Sequence, residues 1–233
     1  MEFSIWLPKD YYGYEKANRR PRARKITINP GYTALVGPNG SGKTTFLRQI
    51  AAKCREAGYT VVYYDNMSDG GNSSMQRALM DSRIDFLSQL ALGSEGEGIF
   101  ANIGELASKI GRACYNARGR TPVFVLMDGI DSGLSIDKIQ VVRKDLIDFA
   151  INVERQNGND NLYIICTANN YELSKGAAQL NVCNTKYVNL DTYTKFSRFI
   201  ISNSEHKEEL GDVTKKKVSK TKGSKSRSGN QDH

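Results

Sequence analysis

A glycine-rich segment followed by lysine and threonine has the residue types and spacing to bind phosphate. Residues 37–45 read Gly-Pro-Asn-Gly-Ser-Gly-Lys-Thr-Thr, the pattern of a phosphate-binding loop. Glycines let backbone N–H groups approach the phosphates, the lysine neutralises their charge, and the first threonine hydroxyl ligates Mg²⁺. The pattern predicts binding of ATP or GTP with Mg²⁺. The candidate nucleotide-binding residues are Gly37, Asn39, Gly40, Ser41, Gly42, Lys43, Thr44 and Thr45.

A carboxylate farther along the chain is a candidate second Mg²⁺ ligand. Five apolar residues at 123–127 precede Asp128, which predicts a buried strand with this acid at its carboxyl end. There Asp128 would hold Mg²⁺ opposite Thr44.

The elements around these residues predict an α/β fold. The run 32–36 reads as a buried strand, and residues 45–57 have helical spacing, so a helix N-terminus would point at the anion. Further strands are expected at 60–65, 162–167 and 187–190, within a chain whose first 36 residues are β-rich. Further helices are expected at 75–92, 99–117, 135–155 and 192–203.

Two short motifs resemble those of ABC-type ATPases. Residues 128–135, Asp-Gly-Ile-Asp-Ser-Gly-Leu-Ser, are similar to the Walker B and D-loop of that class, particularly its RecF-like and SMC-like DNA-maintenance branch. Residues 94–97, Ser-Glu-Gly-Glu, resemble the ABC signature, which lies between Walker A and Walker B as it does here. The chain also resembles small ABC- and AAA-type ATPases of bacteria, phages and mobile elements; it has no coiled-coil heptads.

The resemblance implies an architecture and a partner. It implies an ABC-like mixed sheet in a domain over 1–205, with a small helical inset at about 66–118. The tail at 206–233 is expected to be disordered because of its composition, which is basic and poor in apolar residues. The resemblance also implies a head-to-tail homodimer with ATP between the copies. In such a dimer Ser94, Gly96 and Glu97 of one copy would cap the phosphates bound by Walker A of the other.

Three positions depart from the pattern of that class, all at the chemical step. The Q-loop glutamine that the family has after the 60–65 strand is absent, and Asn66 and Gln76 are the candidate replacements. Gly129 stands where the family has a glutamate that polarises the attacking water, and Asp131 is the nearest substitute. Asn169 follows the 162–167 strand where the family has histidine, and it cannot take up a proton. The expectation is ATP binding with slow hydrolysis, unless the catalytic base has been relocated. The candidate catalytic residues are Asp128, Asp131 and Asn169.

Charge is concentrated in two segments. Of a formal net charge of +8, residues 213–233 contribute seven Lys/Arg against one Asp, and Lys16–Lys25 contributes six basic residues and no acid. Both segments are candidates for nucleic-acid binding, with simple solvation as the alternative. No apolar run of about 18 residues and no signal peptide is visible, so a cytoplasmic protein without membrane contact is expected.

Three functions compete at this level. The first is an ATP-switched homodimer in DNA maintenance, mobile-element or phage-related processes, with a separate effector protein. The second is a non-hydrolysing, ATP-gated DNA-binding protein, which Gly129 favours. The third, the ATP subunit of a transporter, is disfavoured by both short motifs.

Overall fold

A six-stranded sheet forms the centre of the molecule in the computed structural model, which describes residues 1–6, 23–69 and 95–204, without the side chains of 95–102. Its order is β4-β5-β6-β3-β7-β8, and a separate two-stranded antiparallel sheet pairs β1 with β2. The strands are β1 (Glu2–Ile5), β2 (Arg24–Thr27), β3 (Gly31–Val36), β4 (Thr60–Asp65), β5 (Val123–Asp128), β6 (Leu162–Thr167), β7 (Ala178–Asn181) and β8 (Lys186–Val188).

Helices cover both faces of the six-stranded sheet. They are α1 (Lys43–Glu56), α2 (Asn66–Asp69), α3 (Glu95–Ala117), α4 (Ile136–Val141), a π-helical segment (Val142–Asp148), α5 (Phe149–Gln156), α6 (Tyr171–Ser174) and α7 (193–204). In the described part of the chain, no helix is both long enough and apolar enough to cross a membrane.

The first five strands of the sheet order are parallel, and only β8 runs antiparallel to its neighbour. β6 lies between β3, which leads into the phosphate loop, and β5, which ends in Asp128. The carboxyl ends of these strands therefore meet at one edge, where open α/β sheets bind their ligands.

Two apolar clusters fix α1 and α3 on opposite faces of the sheet. Phe46, Leu47 and Ile50 of α1 are fully buried in the cluster that contains Leu35 of β3 and Leu126 of β5. The other cluster contains buried residues of α3, such as Leu106 and Ile110, and of the 136–156 helical stretch. Every residue of β5 and β6 is buried, as expected for central parallel strands covered on both faces.

Most elements lie where the sequence predicts them. The strands at 60–65, 123–128 and 162–167 are confirmed with these bounds, and α3 begins four residues before the predicted Ile99. The single helix expected over 135–155 is instead interrupted by the π-helical segment, and the last strand ends at Val188 rather than Leu190. The sequence does not predict β7, α2 or α6, because each is only four residues long. The helix expected at 75–92 and the basic tail lie outside the described residues.

Candidate functional site

The loop between β3 and α1 favours glycine at two points. Gly42, which caps α1, has φ 91°, in the left-handed region. A Cβ added at Gly37 would lie 2.6 Å from Ser41 Oγ, closer than real contacts allow. Ser41 N donates to Pro38 O at 3.1 Å and closes the turn. The glycines thus shape a loop whose backbone a ligand can approach closely.

Lys43 and Ser41 supply polar groups that suit a phosphate ligand. The Lys43 ammonium is buried and donates to the carbonyl oxygens of Gly37 at 2.8 Å and Pro38 at 3.3 Å. The Ser41 Oγ atom is buried and has no hydrogen-bond partner within the described residues. A cradle that a Cβ would fill, an orphaned hydroxyl and a buried ammonium together fit nucleotide phosphates.

Asp128 lies opposite Thr44, and the residue pattern predicts a Mg²⁺ site between them. Thr44 Oγ1 donates to Asp128 Oδ1 at 3.2 Å, and Thr167 Oγ1 donates to the same oxygen at 2.9 Å. The Gly129 N–H donates to Thr167 Oγ1 at 2.7 Å, so this hydroxyl is fixed from both sides. Thr44 and Asp128 are hard oxygen donors that suit Mg²⁺. The sequence does not single out Thr167, because only the strand order brings the end of β6 beside Asp128.

Asp131 and Asn169 are brought together in a buried clamp. Asp131 Oδ2 accepts from the backbone N–H groups of Asn169 and Asn170, each at 2.7 Å, and its Oδ1 accepts from the Asn169 amide at 3.3 Å. Burial raises the pKa of Asp131, and these hydrogen bonds oppose the rise. The clamp joins the turn after β5 to the turn after β6, which places Asn169 at the carboxyl edge of the sheet.

Gly129 occupies a turn that disfavours a side chain. Its φ of +65° lies in the left-handed region, and an added Cβ would lie 3.4 Å from Ser132 Oγ and 3.5 Å from Asn66 Cβ. Ser132 N donates to Gly129 O at 2.9 Å, and the Asn66 amide donates to Ser132 O at 3.3 Å. Space would allow a small side chain, but the backbone conformation is costly for any residue other than glycine.

A second polar group of residues lies on the same sheet face, beside Asp128. Asp65 ends β4 directly opposite Asp128, and Arg48 of α1 approaches it, with Arg48 Nη2 3.5 Å from Asp65 Oδ2. The Tyr63 hydroxyl lies near this pair and is buried. Sequence reasoning did not select Arg48 or Tyr63, because neither belongs to a recognisable motif.

Several proposed site residues cannot be placed. Ser94 lies outside the described residues, and Gly96 and Glu97 lie in α3 where side chains are not described. The 213–233 segment and most of Lys16–Lys25 also lie outside the described residues. Asn39 is exposed in the phosphate loop, and Thr45 lies in the first turn of α1.

Comparison with known proteins identifies the class of this chain. Residues 30–226 match the family model described as an ATPase domain predominantly from Archaea. The chain belongs to this family, and it is an ATP-binding P-loop ATPase with an α/β fold.

Two further comparisons add little to this assignment. No curated protein matches the chain. One solved structure that it resembles is that of a DNA replication initiation factor, with a TM-score of 0.30 and 12% identity. The match covers 73% of this chain and 39% of the other, so this chain spans about two fifths of that protein.

Proposed function

We propose that this protein is a Mg²⁺-dependent ATPase with slow turnover, whose ATP-bound form is a head-to-tail homodimer. The contact between Thr44 and Asp128 at the end of the phosphate loop carries the proposal, because two oxygen donors that would suit Mg²⁺ meet there next to Lys43. Bound Mg²⁺ would neutralise phosphate charge. The Lys43 ammonium would exchange its two loop carbonyls for phosphate oxygens, a stronger charge-assisted interaction.

Slow turnover is supported by two residues of the turn after β5, Gly129 and Asp131. Gly129 provides no carboxylate, and its left-handed backbone explains why glycine stands there. Asp131 already accepts three hydrogen bonds and is 7% exposed, so little of it is accessible to a water molecule. A non-hydrolysing, ATP-gated switch is the second candidate, favoured by the same two observations.

The homodimer is supported by where α3 begins. This helix starts at Glu95, so the signature-like Ser94 directly precedes a helix N-terminus. Free N–H groups and the helix dipole make such an end a favourable anion site. Ser94, Gly96 and Glu97 of one copy would there contact the ATP phosphates held by the other copy, as in the RecF-like and SMC-like branch.

The biological setting is proposed from charge and motif resemblance. The basic segments at Lys16–Lys25 and 213–233 would bind a nucleic-acid backbone, and the sites described contain no nuclease-like cluster. We therefore place the protein in DNA maintenance or in mobile-element or phage-related processes, with a separate effector protein. A transporter subunit has no observation in its favour.

Dimerisation and turnover measured in one preparation test the proposal. Wild type, Lys43→Ala, Ser94→Arg and Lys53→Ala are compared by light scattering and phosphate release, with and without Mg²⁺-ATP. Lys43→Ala should weaken ATP affinity at least about tenfold, because it removes a charge-assisted contact. Lys53, an exposed lysine of the same helix, is the matched control and should behave as wild type.

The outcomes separate the parts of the proposal. An ATP-dependent dimer in wild type and Lys53→Ala, absent in Lys43→Ala and Ser94→Arg, supports the head-to-tail form. ATP binding without a dimer contradicts the role of Ser94. A dimer with no phosphate release replaces the slow ATPase by the ATP-gated switch.

A further inference from the structure

A carboxylate other than Asp131 stands beside the Mg²⁺ ligand Asp128. Asp65 is the last residue of β4 and pairs with Asp128 in the parallel register of β4 and β5. Paired positions on neighbouring strands lie about 4.8 Å apart, and their side chains leave the same face of the sheet. Because Asp128 contacts Thr44 of α1, Asp65 also faces α1, and its contact with Arg48 agrees with this.

Arg48 holds Asp65 from α1, one helical turn beyond Thr44. Its Nη2 lies 3.5 Å from Asp65 Oδ2, and the two side chains are 64% and 19% exposed respectively. The pair therefore lies at the rim of the site, where water has access. Thr44 with Asp128 and Arg48 with Asp65 form two parallel contacts between α1 and the end of the sheet.

The Tyr63 hydroxyl lies near both contacts, since it interacts electrostatically with Arg48, Asp65 and Asp128. Its proximity raises the pKa of Arg48. The contact between the Tyr63 hydroxyl and Arg48 nevertheless falls short of a well-formed hydrogen bond, so this buried hydroxyl has no hydrogen-bond partner among the described residues. Burial raises the pKa of Tyr63, and the charge of Asp128 raises it further. An unsatisfied buried donor beside two carboxylates is the environment in which an ordered water would be stabilised.

Asp65 has more capacity to bind a water than Asp131. Asp65 Oδ1 accepts from the Met67 N–H at 3.0 Å, and its Oδ2 faces Arg48 at a distance longer than a good hydrogen bond. Asp131 accepts three donors, two of them at 2.7 Å. A carboxylate has about four acceptor positions, so Asp65 keeps lone pairs for a water.

We propose that Asp65 is the carboxylate that orients the attacking water in ATP hydrolysis and accepts its proton, with Arg48 as its positioning residue. This role rests on the proposed ATPase function. Asp65 would supply the carboxylate that the chain lacks at position 129. The water oxygen forms a bond to the γ-phosphorus while the bond from that phosphorus to the bridging oxygen breaks. ADP leaves with the electron pair, and the proton passes to Asp65 and then to solvent.

The test compares nucleotide affinity, turnover and thermal stability across matched variants. Asp65→Asn keeps the shape and the acceptor for Met67 N–H, and Asp65→Glu keeps the charge. Arg48→Gln removes the positioning group. Glu56→Gln and Lys53→Gln alter an exposed ion pair in the last turn of the same helix and serve as controls.

The expected result is a separation of binding from chemistry. Asp65→Asn should bind a fluorescent ATP analogue within about threefold of wild type, yet turn over at least about 100-fold more slowly. Asp65→Glu should recover part of the rate. Arg48→Gln should lower kcat by a smaller factor with KM unchanged, and both controls should match wild type.

Other results overturn the proposal. Asp65→Asn with most of the wild-type rate excludes the role, particularly if Asp131→Asn is the slow variant. If Asp65→Asn loses ATP affinity or thermal stability in parallel with its turnover rate, Asp65 has a structural role rather than a catalytic one. If the wild-type protein binds ATP but does not hydrolyse it, both the ATPase activity and this role of Asp65 are excluded. If it does not bind ATP, the proposed function itself is refuted.

Discussion

At the residue scale, the site depends on how each polar side chain is held before any ligand binds. Asp128 receives hydroxyl groups from two different elements, Thr44 of α1 and Thr167 of β6. Asp131 receives backbone N–H groups from the turn after β6. Side chains that are already fixed lose little conformational freedom when a ligand binds, so this arrangement would favour the Mg²⁺-nucleotide binding proposed above.

Gly129 allows a test of the turn that follows β5. Gly129→Ala should lower the free energy of unfolding by about 1 kcal/mol, because its φ of +65° is unfavourable for a residue with a Cβ. Urea unfolding followed by circular dichroism measures this change. Gly104 is the matched control: it lies within α3 with open space around it.

The control should change stability in the opposite direction. Gly104→Ala should stabilise by about 0.5–1 kcal/mol, because alanine is favoured over glycine within a helix. Equal effects of the two substitutions would show that the left-handed turn does not determine the identity of residue 129.

At the element scale, β5 and β6 are joined on the α1 face by aromatic packing as well as by backbone pairing. The rings of Phe124 and Tyr163 stack with centroids 4.5 Å apart, and Phe124 also contacts Tyr59 and Phe3. The two stacked rings lie four residues before the end of their strands. This packing therefore fixes the strands that carry Asp128 and Thr167 to the site.

Phe124→Ala tests the contribution of this packing. The variant should lose about 3–5 kcal/mol of unfolding free energy, because a fully buried aromatic ring leaves a cavity. Phe149→Ala should lose less than about 0.5 kcal/mol, because Phe149 of α5 is 64% exposed. Chemical denaturation of both variants measures the difference, and similar losses would contradict this account of the core.

At the scale of the whole molecule, several ionisable groups are buried in uncharged form. Burial raises the pKa of Cys54 to about 12 and that of Cys114 to about 11 from an ordinary value of 9.0. Burial also raises the pKa of Tyr64 and Tyr163. These groups ionise more readily in the unfolded chain than in the folded protein.

Alkaline pH should therefore destabilise the fold. Between the ordinary and the raised thiol pKa, the folded protein binds more protons than the unfolded chain. The free energy of unfolding therefore falls as the pH rises above about 9. Urea unfolding at a series of pH values measures this slope. A Cys54→Ala, Cys114→Ala double variant should show a smaller slope near pH 9, and Cys183→Ala, which alters a half-buried thiol, should not. An unchanged slope in the double variant would show that the Cys54 and Cys114 thiols do not cause the loss of stability at alkaline pH.

The sequence alone determined the nucleotide loop, Asp128 and the main strands, because these are local patterns. A glycine-rich turn before lysine and threonine, or an apolar run ending in aspartate, can be read from consecutive residues. Apolar periodicity predicts the longer helices, although α3 begins four residues early and the π-helical segment at Val142–Asp148 interrupts the helix expected over 135–155.

Only the tertiary structure decided which polar residues share the site. Thr167 reaches Asp128 because β6 lies between β3 and β5, and Asp65 stands beside Asp128 because β4 pairs with β5 in that register. Both contacts join residues far apart in the chain, and no local pattern encodes strand order. The left-handed backbone of Gly129 is likewise set by the turn that packs against Asn66 and Ser132. Spacing in the sequence specifies the elements, whereas the contacts between elements assemble the site.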